Sequence, residues 1–243
     1  EGIDMELWAT AMIVEDGNTR AVLMDVDFGS FGMDESDELR KMIGDVAGVP
    51  AEAVRLAYTH THAGPPWSVS GGFGGNSKLP GAELVPAYQD YVRAQLVGAV
   101  RQAMMAPKQA RVIGGYGKSD VTVNRRFKGP SGAVLVAENR DGYVDQTVTA
   151  VRIDDLDEKP IASIVGFGTH PITLAHQNRL ISPDYPGTVK RVVQQLTGAP
   201  CLFLQGCAGD QMPEQGLTGD VQIPRRIGTR LGSEAARVLM GLR

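Results

Sequence analysis

A sequence of 243 residues can form one large α/β domain or two small ones, and its 42% hydrophobic and 21% charged residues are typical of a folded globular protein. The formal net charge of −4 and the lack of a basic run predict no nucleic-acid partner and no binding to an anionic membrane surface. No apolar run approaches the roughly 20 residues that span a bilayer, and the first residues lack the pattern of a signal peptide. We therefore expect no transmembrane segment.

The N-terminal quarter is predicted to form a hairpin followed by a βαβ unit. Apolar, β-branched segments at Trp8–Val14 and Arg20–Phe28 flank an Asp-Gly pair, which is a strong signal for a tight turn. Asp34 is predicted to cap a helix that stops at Gly48–Pro50. The next strand is predicted at residues 53–61, parallel to the second strand of the hairpin.

Residues 64–82 are rich in Gly, Pro and Ser without any periodicity, which predicts a long loop that is functional or mobile. The GGFGG segment in this loop is not a phosphate-binding loop, because neither a Lys-Ser/Thr pair nor a flanking strand and helix accompanies it. Trp67 and Phe73 are candidates to line an apolar entrance, although an aromatic side chain in a loop is as often packed over a core. Helical spacing resumes from about Glu83 to Met105.

The rest of the chain alternates strands and helices around an irregular stretch at residues 117–147. Strands are predicted at 109–118, Val134–Ala137, Thr147–Ile153, 161–169 and 201–205, and helices at Tyr185–Leu196 and Val221–Leu242. We therefore predict a single α/β domain over residues 1–243, with a mixed, mostly parallel sheet flanked by helices. Because the chain enters a strand almost at once and ends directly after a helix, we also expect a fragment that lacks upstream and downstream parts.

Three of the four histidines lie where predicted strands end. His60 and His62 follow one strand and His170 follows another, so we expect them at the carboxyl edge of the sheet, where α/β folds build their sites. Neutral imidazole is the commonest metal ligand, and catalytic zinc typically takes three protein ligands and keeps one position open. The pattern predicts a metal site, whereas an isolated histidine is more often structural, as we expect for His176.

Carboxylates near the same edge are supporting candidates. Asp210 is a candidate metal ligand, a partner that orients an imidazole, or a cap on the following turn. Asp184 precedes a predicted helix, where N-capping is the simpler explanation, and Asp27 near a strand end is a candidate to orient a ligand. Cys201 and Cys207 are expected to be two buried thiols rather than a disulfide framework.

The motifs THTHAGP, VNRR, GTHP, SPDYPG and GCAGDQMP resemble, in this order, those of the neutral ceramidases, which are zinc-dependent amidases, and of shorter bacterial proteins that share their N-terminal catalytic domain. The resemblance covers nearly the whole chain. It implies that His60 and His170 ligate Zn²⁺ and that His62 beside them handles protons or stabilises an oxyanion. It also implies that Arg125 contacts the polar head or carbonyl of the substrate, for which a surface salt bridge is the alternative.

The reaction implied by this resemblance is cleavage of an amide bond in an N-acyl lipid by metal-activated water, in a secreted or periplasmic protein. Two departures from the family pattern bear on it. Met212 stands where the ceramidases have a catalytic serine, and the family's remaining zinc ligands, a glutamate and a tyrosine, are expected downstream of Arg243. Two alternatives therefore stay open: a metal-dependent hydrolase of a different small amide or ester, and a catalytically degenerate binding domain.

Overall fold

A computed structural model of the chain describes residues 2–68, 81–105 and 107–242. The strands are β1 (Gly2–Ile3), β2 (Ala9–Asp16), β3 (Thr19–Val26), β4 (Val54–Tyr58), β5 (Arg111–Lys118), β6 (Thr122–Lys128), β7 (Val134–Asn139), β8 (Thr147–Asp154), β9 (Pro160–Phe167), β10 (Leu180–Ile181), β11 (Cys201–Gln205) and β12 (Gln211–Pro213). The helices are α1 (Met33–Ala47), α2 (Val85–Met104), α3 (Asp184–Thr197) and α4 (Gln222–Gly241), with short 3₁₀ turns at Ala51–Ala53 and Ala82–Leu84.

These elements form two compact units. The smaller unit comprises Trp8–Tyr58 and Gly64–Pro107, and the larger unit comprises Glu1–Leu7, Thr59–Ala63 and Lys108–Arg243. The short segment Thr59–Ala63 therefore interrupts the smaller unit in sequence but belongs to the larger one. A single domain over residues 1–243 stays a prediction, because this division does not test it.

The smaller unit confirms the predicted hairpin and the first pair of parallel strands. β2 pairs antiparallel with β3, and β3 pairs in parallel with β4 across helix α1. The predicted N-cap, Asp34, is wrong: Gly32 occupies that position, and Asp34 lies in the first turn, where a carboxylate interacts favourably with the helix dipole. The helix stops as predicted, with Gly48 in the left-handed conformation at a φ of 70°.

Strand β4 ends at Tyr58, so the strand predicted over residues 53–61 is too long at its C-terminal end. His60 has a φ of 66°, in the left-handed region that a β-strand does not contain. The histidine pair therefore lies on a turn rather than on an extended segment.

The core of the smaller unit is formed by the three-stranded sheet β2-β3-β4 and by helices α1 and α2. The two helices also pack on each other. Trp67 is buried in this core, and its ring meets the rings of Phe28 and Phe31 edge-on, with centroid distances of 5.8 and 4.6 Å. Trp67 therefore packs over the core, which is the second of its two predicted roles. Phe73 lies outside the described residues.

The larger unit is built around a mixed four-stranded sheet in the order β11-β9-β8-β5. β9 and β11 are parallel and are joined through α3, which confirms the second predicted pair of parallel strands. β8 is antiparallel to both β5 and β9, so the expectation of a mostly parallel sheet is corrected to mixed sheets with many antiparallel pairs. The apolar pattern of a strand reports its burial, whereas its direction depends on the connection that precedes it.

Helices α3 and α4 pack on each other and contribute to the apolar core of the larger unit. The apolar face predicted for α4 is confirmed, because all of its members are buried: Ile227, Leu231, Ala235, Val238 and Leu239. Gly228 allows the close approach of the two helices, since a Cβ there would lie 2.6 Å from the carbonyl oxygen of Tyr185. None of the helices within the described ranges has both the length and the hydrophobicity to cross a bilayer.

The stretch predicted to be irregular contains strand β6 in addition to β7, and both join β12 in a three-stranded antiparallel sheet. The sequence did not predict β6 because its register with β7 shifts between Asn124 and Arg126, which breaks the two-residue alternation. Met212 of β12 is 3% exposed and packs in a small apolar cluster with Val123 and Ile172.

The two cysteines form no disulfide bond with each other, as expected. Cys201 is buried as predicted, but Cys207 is exposed, so the prediction of two buried thiols is wrong for this residue. Cys207 lies in the loop that follows strand β11. The apolar run predicts burial of the strand, but it does not predict whether a side chain in the loop after it is buried.

Candidate metal centre

Three of the four histidines meet in the larger unit. His60, His62 and His170 each offer one ring nitrogen, and these three atoms all lie within 4.8 Å of one another. The ring centroids are 4.6 to 5.1 Å apart. The expected meeting of the two histidine-bearing segments is therefore confirmed, and His176 is exposed and does not belong to the cluster.

The turn that carries His60 and His62 is held by the residue between them. The hydroxyl of Thr61 donates to the carbonyl oxygen of Ser182 at 2.7 Å and accepts from the N–H of Ala63 at 3.2 Å. The left-handed conformation of His60 costs on the order of 1 kcal/mol and persists only where the surroundings enforce it. The buried hydrogen bonds of Thr61 supply that constraint.

His170 is oriented by a backbone carbonyl. Its Nδ1 lies 3.1 Å from the carbonyl oxygen of Ala208, and a carbonyl oxygen can only accept a hydrogen bond. Nδ1 therefore carries the hydrogen, and the neutral ring has its lone pair at Nε2. This Nε2 lies 3.0 Å from Nε2 of His62, so the coordinating atom of His170 points into the cluster.

Gln211 ties the His170 segment to the neighbouring backbone. Its carbonyl oxygen accepts from the N–H of His170 at 3.2 Å. Its buried side chain donates to the carbonyl oxygen of Gly168 and accepts from the N–H of Asp145. Gln211 thus bonds to the backbone of Gly168 and of His170, the two neighbours of Thr169.

The pKa values of His62 and His170 are lowered, so these two imidazoles are uncharged at neutral pH. Desolvation is the main cause that lowers the pKa of His62 to about 4, and the electrostatic effects of the nearby His60 and Arg125 lower it further. Desolvation also lowers the pKa of His170 to about 4, against the opposing effect of its bond to Ala208. Neutral imidazole is the form that binds metals, and it suits Zn, Cu, Fe and Ni. The donor set therefore fits a divalent transition-metal ion.

Arg125 lies beside the cluster, where its charge contributes to the low pKa of two of the histidines. Its Nε donates to the carbonyl oxygen of Gly209 at 3.1 Å, and Arg126 donates to the same oxygen at 2.7 Å. Desolvation lowers the pKa of Arg125, and the neighbouring Arg126 lowers it further, while the exposed carboxylate of Asp210 opposes this lowering. Among the described residues, the group of candidate metal ligands contains the three histidines and not Asp210.

The other two candidate carboxylates are buried in hydrogen-bonded positions. Asp184 accepts from the N–H of Leu174 at 2.9 Å and from the N–H of Tyr185 at 2.6 Å, and thereby joins the segment after His170 to helix α3. Asp27 belongs to the smaller unit, where it accepts from the N–H of Trp8 at 3.0 Å. A role of either residue in orienting a metal ligand stays a prediction.

The pKa of Asp184 predicts a pH-dependent stability. Burial raises this pKa from 3.8 to about 6, so the carboxyl group stabilises the folded state fully below pH 3.8, and this stabilisation is lost as the pH rises through about 6. The rise corresponds to about 3 kcal/mol. We subtract the unfolding free energy of Asp184→Asn from that of the wild type. Urea denaturation should show this difference fall by about 2 kcal/mol, which is most of the total, between pH 4 and pH 7. A difference independent of pH would contradict this origin.

Sequence reasoning missed three residues that hold the site, namely Thr61, Ser182 and Gln211. All three are buried polar residues that bond to distant parts of the chain, as in the bond that joins Thr61 and Ser182 across 121 positions. Two of these residues could have been suspected from their position in the sequence. Thr61 lies between two candidate ligands, and Ser182 is the first residue of the SPDYPG motif. The polarity of these residues does not reveal their partners.

Comparison with known proteins yields one family and several relatives. The N-terminal family model of the neutral/alkaline non-lysosomal ceramidases matches residues 1–199. The neutral ceramidase of Pseudomonas aeruginosa is 28% identical over 234 residues, which cover 89% of this chain and 33% of that protein. Neutral ceramidase B of Dictyostelium discoideum is 27% identical over 208 residues, which cover 82% of this chain and 28% of that protein. The chain thus spans about a third or less of the length of these relatives.

Two solved structures have the same fold as this chain. A ceramidase complexed with C2 superposes with a TM-score of 0.77 at 24% identity, covering 99% of this chain and 39% of that one. The crystal structure of the neutral ceramidase from Pseudomonas aeruginosa also gives a TM-score of 0.77, at 23% identity, covering 99% of this chain and 40% of that one. At these identities the likeness shows the fold.

Proposed function

Because this chain belongs to the neutral/alkaline non-lysosomal ceramidase family, we propose that it carries the metal-binding part of an active site that hydrolyses an amide bond. The observation that carries the proposal is the cluster of three histidine nitrogens within 4.8 Å of one another. Membership of the family supports the class of reaction, and the cluster supports these histidines as the candidate metal ligands.

In the proposed site, His60 and His170 hold Zn²⁺ and His62 stands beside the ion. The support for His170 is its orientation, since Ala208 occupies Nδ1 and leaves Nε2 to coordinate. A third ligand role for His62 is the alternative, because catalytic zinc commonly takes three protein ligands. Removing His62 distinguishes the two arrangements: zinc stays bound if this residue only moves protons and is released if it is a ligand.

The chain's own groups then perform the proton transfer and the charge stabilisation. A bound zinc ion polarises a carbonyl group and lowers the pKa of water to about 7. His62 lies beside the place proposed for the ion, where its ring can accept a proton from the attacking water and pass it to the leaving amine. Arg125, held through Gly209, donates N–H bonds to the oxygen that becomes negatively charged.

The proposed substrate is an N-acyl lipid amide, a class indicated by the names of the relatives. Met212 favours a second candidate, a different small amide or ester. Its thioether offers neither a nucleophile nor a proton donor where the ceramidases have a serine, and it is buried among apolar side chains. Dependence on acyl-chain length separates these candidates, since a preference for long chains indicates a lipid and equal rates indicate a small substrate.

The proposal is tested on the protein together with any residues that flank this sequence in the natural chain. We expect stoichiometric zinc and hydrolysis of a fluorescent ceramide, with turnover reduced about 10²- to 10⁴-fold in His62→Ala, as for the loss of a general acid-base group. His176→Ala, which alters an exposed histidine outside the cluster, is the matched control and should leave turnover unchanged. Zinc-loaded protein that cleaves no amide or ester would indicate a degenerate binding domain and overturn the proposal.

A further inference from the structure

The buried turn at residues 182–184, called the SPD clamp below, bonds to both histidine-bearing segments. Its first contacts are made by the peptide groups of Ser182. The carbonyl oxygen of Ser182 accepts from the hydroxyl of Thr61 at 2.7 Å, and its N–H donates to the carbonyl oxygen of Ala63 at 2.9 Å. One residue thus bonds to the chain on both sides of His62.

The other contact of the clamp is made by the carboxylate of Asp184. Its Oδ2 accepts from the N–H of Leu174 at 2.9 Å, in the segment that follows His170. Its Oδ1 accepts from the N–H of Tyr185 at 2.6 Å, at the start of helix α3. The bond to Tyr185 is not a helix cap, because Pro183 occupies the N-cap position of α3 and no side chain among the described residues caps this helix, so the N-capping expected for Asp184 is wrong. The bond to Leu174 instead links Asp184 to the segment that carries His170.

The hydroxyl of Ser182 holds the clamp in shape. It accepts from the N–H of Asp184 at 3.1 Å and donates to the carboxylate of Asp4 at 3.0 Å. Asp4 is in turn paired with Arg225 of helix α4. Ser182 and Asp184 are each 1% exposed, and Asp184 has a φ of 59°, in the left-handed region. Such a strained residue persists only where its surroundings define it fully.

We propose that the SPD clamp sets the position of the His60–His62 turn relative to His170 and thereby raises the affinity of the site for its metal ion. This inference rests on the proposed function in taking the histidines as metal ligands. Ser182 and Asp184 act through the segments that carry the histidines, so they are positioning residues. Loss of a group that orients a ligand typically costs 10- to 100-fold in metal affinity.

The first test compares Ser182→Ala with a core variant of helix α3. We expect Ser182→Ala to lower zinc affinity about 10- to 100-fold in competition with a chromogenic chelator, and to change the visible spectrum of bound cobalt(II). Val193→Ala, which removes buried methyl groups outside the clamp, should lower the unfolding temperature without either change. Equal losses of affinity in the two variants would attribute the effect to stability and overturn the proposal.

A second test compares two substitutions of Thr61. It can replace the first test if Ser182→Ala does not fold. Thr61→Val removes the hydroxyl that bonds to Ser182 while keeping a branched side chain, and Thr61→Ser keeps the hydroxyl. We expect the valine variant to lose zinc affinity and the serine variant to stay close to the wild type. Equal affinities in this pair would contradict the clamp.

A metal-free measurement separates the clamp from the proposed function. In metal-free protein, Ser182→Ala and Thr61→Val are expected to shift the imidazole nitrogen NMR signals of His62 and His170, whereas Val193→Ala leaves them in place. Wild-type protein that binds neither zinc nor cobalt would refute the proposed function. Unchanged imidazole signals in both clamp variants would refute the clamp by itself.

Discussion

Replacing His170 by alanine is expected to release zinc and abolish hydrolysis. The substitution removes an imidazole whose Nε2 lies 3.0 Å from Nε2 of His62 and whose Nδ1 is held by Ala208. Losing a ligand costs more than the roughly 100-fold in affinity that loss of an orienting partner costs. Bound zinc, measured by atomic emission after dialysis, should therefore fall to background in His170→Ala, and the same result is expected for His60→Ala.

His176→Ala is the control for this prediction. It removes an imidazole of the same size from an exposed position outside the cluster, and should retain the zinc content of the wild type. Unchanged zinc in His170→Ala, in protein that stays folded, would refute the assignment of the metal to this site.

A methyl group at Gly168 is expected to lower protein stability and metal affinity together. The added Cβ would lie 2.8 Å from the carbonyl oxygen of Cys207, which is closer than side chains tolerate, so the backbone has to move. The next residue, Ala208, supplies the carbonyl oxygen that orients His170. We expect Gly168→Ala to lose about 1–3 kcal/mol in unfolding free energy, as for other overpacked sites, and to bind zinc more weakly. Urea denaturation and chelator competition measure the two effects.

Gly166→Ala, two residues earlier in strand β9, is the control. A Cβ at this position would lie 3.6 Å from Cβ of Thr149, which is ordinary van der Waals contact, so both stability and zinc affinity should stay near the wild-type values. Gly168→Ala protein that loses stability but binds zinc as tightly as the wild type would contradict the role of the Ala208 carbonyl.

Much of the secondary structure could be predicted from local pattern. The Asp-Gly turn between β2 and β3, the end of α1 at Gly48 and the buried face of α4 each depend on residues close together in sequence. Strand β6 and the early end of β4 could not be predicted in this way. A register shift obscures the first, and the left-handed conformation of His60 ends the second where the residue types still favour a strand.

The direction of the strands depended on tertiary structure. Apolar runs such as β8 and β9 indicate burial, but a buried strand of a mixed sheet can have a parallel or an antiparallel neighbour. The mixed sheet of the larger unit therefore could not be deduced from its strands alone. The exposure of Cys207 was also not predictable from its neighbours in sequence, because the burial of a loop residue depends on which parts of the fold pack over it.

The sequence by itself determined the chemistry that this chain can offer, because His60, His62 and His170 are few, follow apolar strands and are of a type that binds metals. Only the tertiary structure decided how they are held. The bond from Thr61 to Ser182 crosses 121 positions, and the carbonyl oxygen that orients His170 belongs to a residue 38 positions away. Residue type restricts which hydrogen bonds are possible, but packing selects the partners, since a buried polar group must find one wherever the fold brings it.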